Sequence, residues 1–173
     1  LQESGDAHLR QSIIGDLACD VLFGDSSPLY TRLYAEGAIN GSLGGNFDLL
    51  PGAAYLYVGG DVKDPRRVFD AINAQARRLG EEGIDRDFYE QIRRASYGQM
   101  IRSLNSFENI AVSMTEGYFR RFDYYHFPEV FASVTKADVE AFLRENVTEE
   151  RAALSIIAPA QLHGGSSYAR ENG

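Results

Sequence analysis

The sequence predicts an α+β domain. Amphipathic helix patterns fill both ends, a glycine- and proline-punctuated β-rich stretch occupies residues 40–61, and a short apolar run, Ala153 to Ala158, closes the patterned region. Helices segregated from a hairpin and a late strand suit α+β better than an alternating, parallel-sheet arrangement.

The elements follow in order. Leu9, Ile13, Leu17 and Val21 recur every four residues, with Ile14, Ala18 and Leu22 beside them, and Gly24 ends this first helix. Ser27 and Pro28 then cap and open a second helix carrying Leu29, Tyr30, Leu33 and Tyr34, which stops at Gly37. From Asn40 to Asp61 two β-rich runs flank Pro51-Gly52 and read as an antiparallel hairpin. The glycines at 41, 44 and 45 suit a bulge or a close approach of another backbone.

Asp64-Pro65 repeats the cap-then-proline device for a helix with Val68, Ile72, Ala76 and Leu79 on its buried stripe, ended by Gly83. Asp85 caps the next helix, where Ile84 before the cap faces Tyr89 as a hydrophobic staple. Ser103 to Ser106 interrupts the pattern before a helix over Phe107 to Phe122. Thr135 with Asp138 resembles a capping box, Val134 and Val139 its staple, and Phe142 and Leu143 extend the apolar face to Val147. Thr148 to Arg151 turns the chain into the strand at Ala153–Ala158, which Pro159 closes. The domain is thus expected over residues 1–159, with 160–173 a flexible tail.

Composition narrows the function. With 173 residues the chain can bury roughly 70% of its unfolded surface, enough for one real core. A net charge of −8 and a pI near 4.9 argue against nucleic acid as a partner, because phosphate binding needs a basic face. No apolar run approaches the roughly 20 residues of a membrane span. Cys19 is the only cysteine, which excludes an intrachain disulfide and a cysteine-only zinc site. The sequence begins at Leu1 rather than methionine, so a parent protein extending upstream is expected. Cytoplasm is the default compartment.

Reactive constellations are scarce. His8, His126 and His163 are too far apart in sequence to chelate a metal from one helix. His8 reads as a surface residue, His126 as a satisfied or partly buried imidazole, and His163 as an idle tail residue. Ser26 and Ser27 lack the glycine spacing of a nucleophile elbow, and Cys19 reads as a small buried hydrophobe. The 41–45 stretch lacks the Lys and Ser/Thr of a phosphate-binding loop. Acidic residues are expected on solvated faces, with no carboxylate pair standing out. In Gly117 to Phe127, six of eleven residues are Phe or Tyr. This reads as a core corner or, alternatively, a partner surface, the core reading being preferred.

Three stretches, in this order, resemble the C-terminal half of the insulinase (pitrilysin-like) zinc metallopeptidases, over about residues 9 to 159. They are Leu22-Phe23-Gly24-Asp25-Ser26-Ser27-Pro28-Leu29-Tyr30; Gly59-Gly60-Asp61 through Asp64-Pro65 and its helix; and Val134-Thr135-Lys136-Ala137-Asp138-Val139 followed by Ala153 to Pro159. The likeness is strongest to bacterial processing-peptidase-like members with two homologous halves in one chain. It implies a metallopeptidase half-unit, a mostly antiparallel sheet with helices packed on one face, here expected to lack its first strand. An exposed edge or apolar face, and hence self-association, is then expected.

In that family the zinc lies in the other half, on a His-x-x-Glu-His helix with a distant Glu. This sequence holds no such motif, so the resemblance implies no cofactor and no metal in this chain, zinc in the missing half, and no catalytic residue here. C-terminal halves often hold substrate backbone with an Arg and a Tyr. Tyr34 stands at the Arg place and Asn40 near the Tyr place, with Arg32 on an adjacent turn, so Arg32, Tyr34 and Asn40 are the candidate substrate-binding residues. The implied partners are the homologous zinc-binding half and a peptide substrate, with no nucleic acid and no membrane. The expected role is to wall a peptide chamber without performing the chemistry. A catalytically inactive scaffold retaining the fold is the alternative, and a small-molecule binding domain a weaker third.

Overall fold

The computed structural model describes residues 5–157. The helices are α1 (Asp6–Phe23), α2 (Pro28–Ala35), α3 (Pro65–Glu82), α4 (Arg86–Ser103), α5 (Phe107–Arg120), α6 (Phe127–Ser133) and α7 (Lys136–Asn146). Strands β1 (Gly44–Leu50) and β2 (Ala53–Gly59) form an antiparallel hairpin between α2 and α3, and short 3-10 turns occupy Tyr124–His126 and Glu149–Arg151. The domain is α+β, with its helices on one face of the hairpin.

Helix starts follow their side-chain caps. Ser27 accepts from the Tyr30 amide at 3.1 Å, Asp64 from Arg67 at 3.1 Å, and Asp85 from Phe88 at 2.9 Å. Each satisfies a donor that the first helical turn leaves unpaired. Thr135 and Asp138 form the full capping box: the Asp138 amide donates to Thr135 Oγ1, and the Thr135 amide donates to the Asp138 carboxylate at 2.8 Å. Val134 and Val139 are both buried beside it, as are Ile84 and Tyr89 at the start of α4.

Helix α1 is the centre of the molecule. The hairpin, α7, α4, α6, α3 and α2 all pack on it. Consecutive residues as well as spaced ones are therefore buried, from His8-Leu9 through Leu22-Phe23. This corrects one expectation: His8 is 5% exposed and lies against Phe122 with ring centroids 6.0 Å apart. A one-face periodicity places His8 outside; a helix covered from several sides takes it in.

In the hairpin, Phe47 pairs with Leu56 and Gly45 with Val58 on the side facing α1, while Asn46–Tyr57 and Asp48–Tyr55 pair on the other side. Phe47 also meets Phe142 of α7 edge-on at 5.5 Å. Helix α3 approaches α7 closely at Gly80, where a β-carbon would stand 3.3 Å from the Arg144 Cα. The turn between α3 and α4 is clamped to α7. The Ile84 amide donates to Glu140 at 2.7 Å, and Lys136 donates to the Ile84 carbonyl at 3.0 Å while pairing with Glu140.

The late strand is a second correction. Residues 152–157 pair with no described strand, and Leu154, Ile156 and Ile157 are exposed. The apolar composition suits a strand, but a strand exists only where a neighbouring edge accepts its ladder. Ala158, Pro159 and the tail expected over 160–173 lie outside the described residues.

Candidate functional surface

The candidate residues occupy the segment that leaves α1 and enters the hairpin. Leu29 and Leu33 anchor α2 in the core, which leaves the intervening positions outward. Arg32 and Tyr34 are both exposed. Two residues apart on a helix, they leave it in directions about 200° apart. Tyr34 stacks on Tyr30 with ring centroids 6.2 Å apart, and Tyr30 in turn meets Phe23 edge-on at 5.6 Å, so the Tyr34 ring is a braced aromatic surface. The end of α2 is tied to α3 by the Glu36–Arg67 ion pair.

Asn40 is exposed and is engaged within its own loop. Its Oδ1 accepts from the Ser42 amide at 2.9 Å and from Ser42 Oγ at 2.6 Å. Ser42 Oγ accepts from the Asp61 amide at 3.0 Å, joining the entrance of the hairpin to its exit. An isolated bridge between Ile39 and Val62 continues the closure. Gly60, at φ +154, is needed here, because a β-carbon would lie 2.6 Å from the Leu43 Cα. Asn40 therefore shapes the loop, and the Asn-x-Ser spacing that signals such a side-chain turn was present in the sequence. Nearby, the outer hairpin face presents Tyr55 and Tyr57, each about half exposed.

Of the glycines at 41, 44 and 45, only Gly45 is crowded, with the Cys19 Sγ and the Tyr57 carbonyl 3.1 and 3.3 Å from where its β-carbon would sit. Cys19 is buried, and burial first, then Asp20 and Asp16, push its thiol up to about 12. It is no thiolate nucleophile.

One group escaped the sequence reading altogether. Asp16 and Asp20 lie on α1 and are only partly exposed, less solvated than the sequence led one to expect. Burial, followed by the charges of Asp20, Asp48 and Glu116, pushes Asp16 up to about 7. Asp20 is raised too, by burial and then by Asp25. The signal was available only as proximity to the apolar stripe of α1. Asp16 separates the stripe residues Ile13 and Leu17, a position that central packing covers.

The aromatic segment divides. Phe127 is buried, with Tyr97 and Phe131 at 6.0 and 5.4 Å, whereas Tyr118, Phe119 and Tyr125 stand out in solvent. The preferred core reading holds for Phe127 and, in part, for Phe122, which packs against the core beside His8. His126 is half-exposed and lies 3.4 Å from Asp6. Among the described residues no cluster of three or more His, Cys, Asp or Glu side chains is arranged to hold a metal ion, and no helix is long and apolar enough to cross a membrane.

Comparison with known proteins agrees with this architecture. Residues 2–96 match the family described as the peptidase M16 inactive domain. The chain is 27% identical over 155 residues to YmfH, an uncharacterised zinc protease of Bacillus subtilis strain 168. That match covers 90% of this chain and 36% of YmfH. Among solved structures, a protein from Alicyclobacillus acidocaldarius assigned as an M16-like peptidase superposes with a TM-score of 0.77 at 24% identity. It covers 82% of this chain, and this chain covers 34% of it. A protein from Bordetella pertussis Tohama I assigned as a zinc protease superposes at 0.65 with 16% identity, over 80% of each chain. The chain thus spans about a third of YmfH and of the Alicyclobacillus protein, and in both sequence and fold it belongs to the peptidase M16 inactive-domain family.

Proposed function

We propose that this chain is the non-catalytic half of a zinc-dependent peptidase, walling a peptide chamber and helping to position the substrate. The observation that carries the reading is the inactive-domain match across α1, α2, the hairpin and α3, the segment that also presents the candidate residues. The partner is a homologous zinc-binding half. Zinc in that half would supply a Lewis acid and an activated water.

The residues of this chain contribute binding and orientation. Tyr34, braced on Tyr30, offers a flat apolar surface to a peptide side chain, and the Arg32 guanidinium offers donors to a peptide carbonyl or carboxylate. Asn40 acts through Ser42, holding the loop beneath them. Holding an extended peptide in register lowers the entropic part of the barrier without touching the reacting atoms. Cytoplasmic residence belongs to the same reading, since a lone buried cysteine suits a reducing compartment.

The test is steady-state peptide hydrolysis by the paired halves. Tyr34→Ala and Arg32→Ala should each raise KM about 3- to 10-fold with kcat nearly unchanged, the pattern of lost uniform binding. Unchanged KM in both variants would remove the positioning role and leave the scaffold reading, which the replacement of the family's Arg and Tyr by Tyr34 and Asn40 favours.

A further inference from the structure

The neck of the hairpin carries a reactive pair. Asn40 is followed by Gly41, and both are exposed between α2 and β1. The backbone nitrogen that follows an asparagine can attack its side-chain amide, and glycine hinders that approach least because it brings no β-carbon. Gly41 stands open: a β-carbon there would meet nothing within 4 Å among the described residues. The other described asparagines, at 46, 73, 105, 109 and 146, are each followed by a residue with a side chain. A second Asn-Gly pair, Asn172-Gly173, lies outside the described residues.

The loop also polarises the amide under attack. The Ser42 amide and Ser42 Oγ both donate to Asn40 Oδ1, at 2.9 and 2.6 Å. The Ser42 N–H can only donate, so the oxygen of the Asn40 amide, and not its nitrogen, faces Ser42. The Asp61 amide donates to the same Oγ at 3.0 Å, which directs the hydroxyl proton to Oδ1. Two donors thus meet the atom that becomes an oxyanion when the amide carbon is attacked. Hydrogen bonds to a charged oxygen are about twice as strong as those to a neutral one, so these two favour the transition state over the resting amide.

We propose that Asn40 is a site of spontaneous deamidation that opens the hairpin neck as the protein ages. The Gly41 nitrogen bonds to Asn40 Cγ while the Cγ–Nδ2 bond breaks. The amide nitrogen leaves as ammonia, the proton displaced from Gly41 making up its third hydrogen. Solvent water then opens the cyclic imide at either carbonyl, leaving aspartate or isoaspartate; nothing is oxidised or reduced. Isoaspartate adds a carbon to the main chain before Gly41 and turns the former side-chain carbonyl into a backbone one. The neck has no slack for it: Ile39 bridges Val62 on one side, and on the other a β-carbon at Gly60 would lie 2.6 Å from the Leu43 Cα. The hydrogen-bonded path from Asn40 through Ser42 to Asp61 is then broken. The reaction needs only this loop and water, so it does not depend on the chain's being half of a peptidase.

The test holds the 173-residue chain at mildly alkaline pH, digests it with trypsin and follows the peptide Leu33–Lys63 by mass spectrometry against an unaged control. Conversion at Asn40 should exceed that at Asn46 in the same peptide by more than about tenfold. Gly41→Ala, which the open space accommodates, should slow it to the rate of Asn46. Ser42→Ala should slow it about 2- to 10-fold, the effect of one exposed hydrogen bond. Hydrogen exchange at the Asp61 amide should quicken in the isoaspartyl fraction. Conversion at Asn40 no faster than at Asn46, a rate unaltered by Gly41→Ala, or unchanged Asp61 exchange in the isoaspartyl fraction would overturn the proposal. A Ser42→Ala chain that converts as fast as the parent, or faster, would overturn the part assigned to Ser42.

Discussion

The ring of Phe47 in β1 lies directly over Gly15 in α1, filling the place where a side chain would stand: a β-carbon on Gly15 would come within 2.2 Å of the ring. Phe47 is buried and pinned from its far side by Phe142. The hairpin sits on the helical layer through this contact, and the loop that holds Asn40 leads directly into it.

Gly15→Ala is therefore expected to destabilise the protein by about 1–3 kcal/mol, the usual cost of overpacking a fixed core. Gly98→Ala on α4 meets nothing within 4 Å and should be neutral or stabilising by up to about 1 kcal/mol. Urea unfolding of the two variants checks the pair; equal effects would contradict the contact.

Asn40→Ala removes two hydrogen bonds that hold Ser42 and, through it, the Asp61 amide. A loss of about 1 kcal/mol is expected, together with faster hydrogen exchange at Asp61. Unaltered exchange there would show that the loop is held by other contacts.

Asp16 predicts a pH dependence. Its folded pKa of about 7 lies above the ordinary 3.8, so between those values the folded state keeps a proton that the unfolded state has lost. Stability falls as pH rises through this window and the penalty is complete above about 7, with a ceiling of about 4 kcal/mol. Asp138 and Glu140, lowered because hydrogen bonds and cationic neighbours outweigh the opposing effect of burial, act in the opposite sense at lower pH. Asp16→Asn should stabilise the chain by about 1–3 kcal/mol near pH 8 and leave it unchanged near pH 4. Thermal melts at both values decide it, and equal gains at the two would exclude titration as the cause.

What the sequence made legible was local. Ser27, Asp64, Asp85 and Thr135 announced helix starts because a cap is satisfied within three residues, and Pro51-Gly52 announced the hairpin for the same reason. What it hid depended on distant chain. His8 is enclosed and Asp16 partly covered by elements far along the sequence, and the apolar run after Arg151 needs a neighbouring strand that its own residues do not specify. The candidate surface came from family likeness, and its geometry separated the exposed pair on α2 from Asn40, whose short-range turn was readable but unread.

The most direct test is reconstitution: this chain mixed with a separately produced zinc-binding half of its parent protein, with peptide cleavage and bound metal measured for each component and for the mixture. The account predicts no stoichiometric zinc and no cleavage from this chain, and cleavage from the mixture well above that of the other half by itself. One tightly held zinc per copy of this chain, or full activity from the other half without it, would contradict the account.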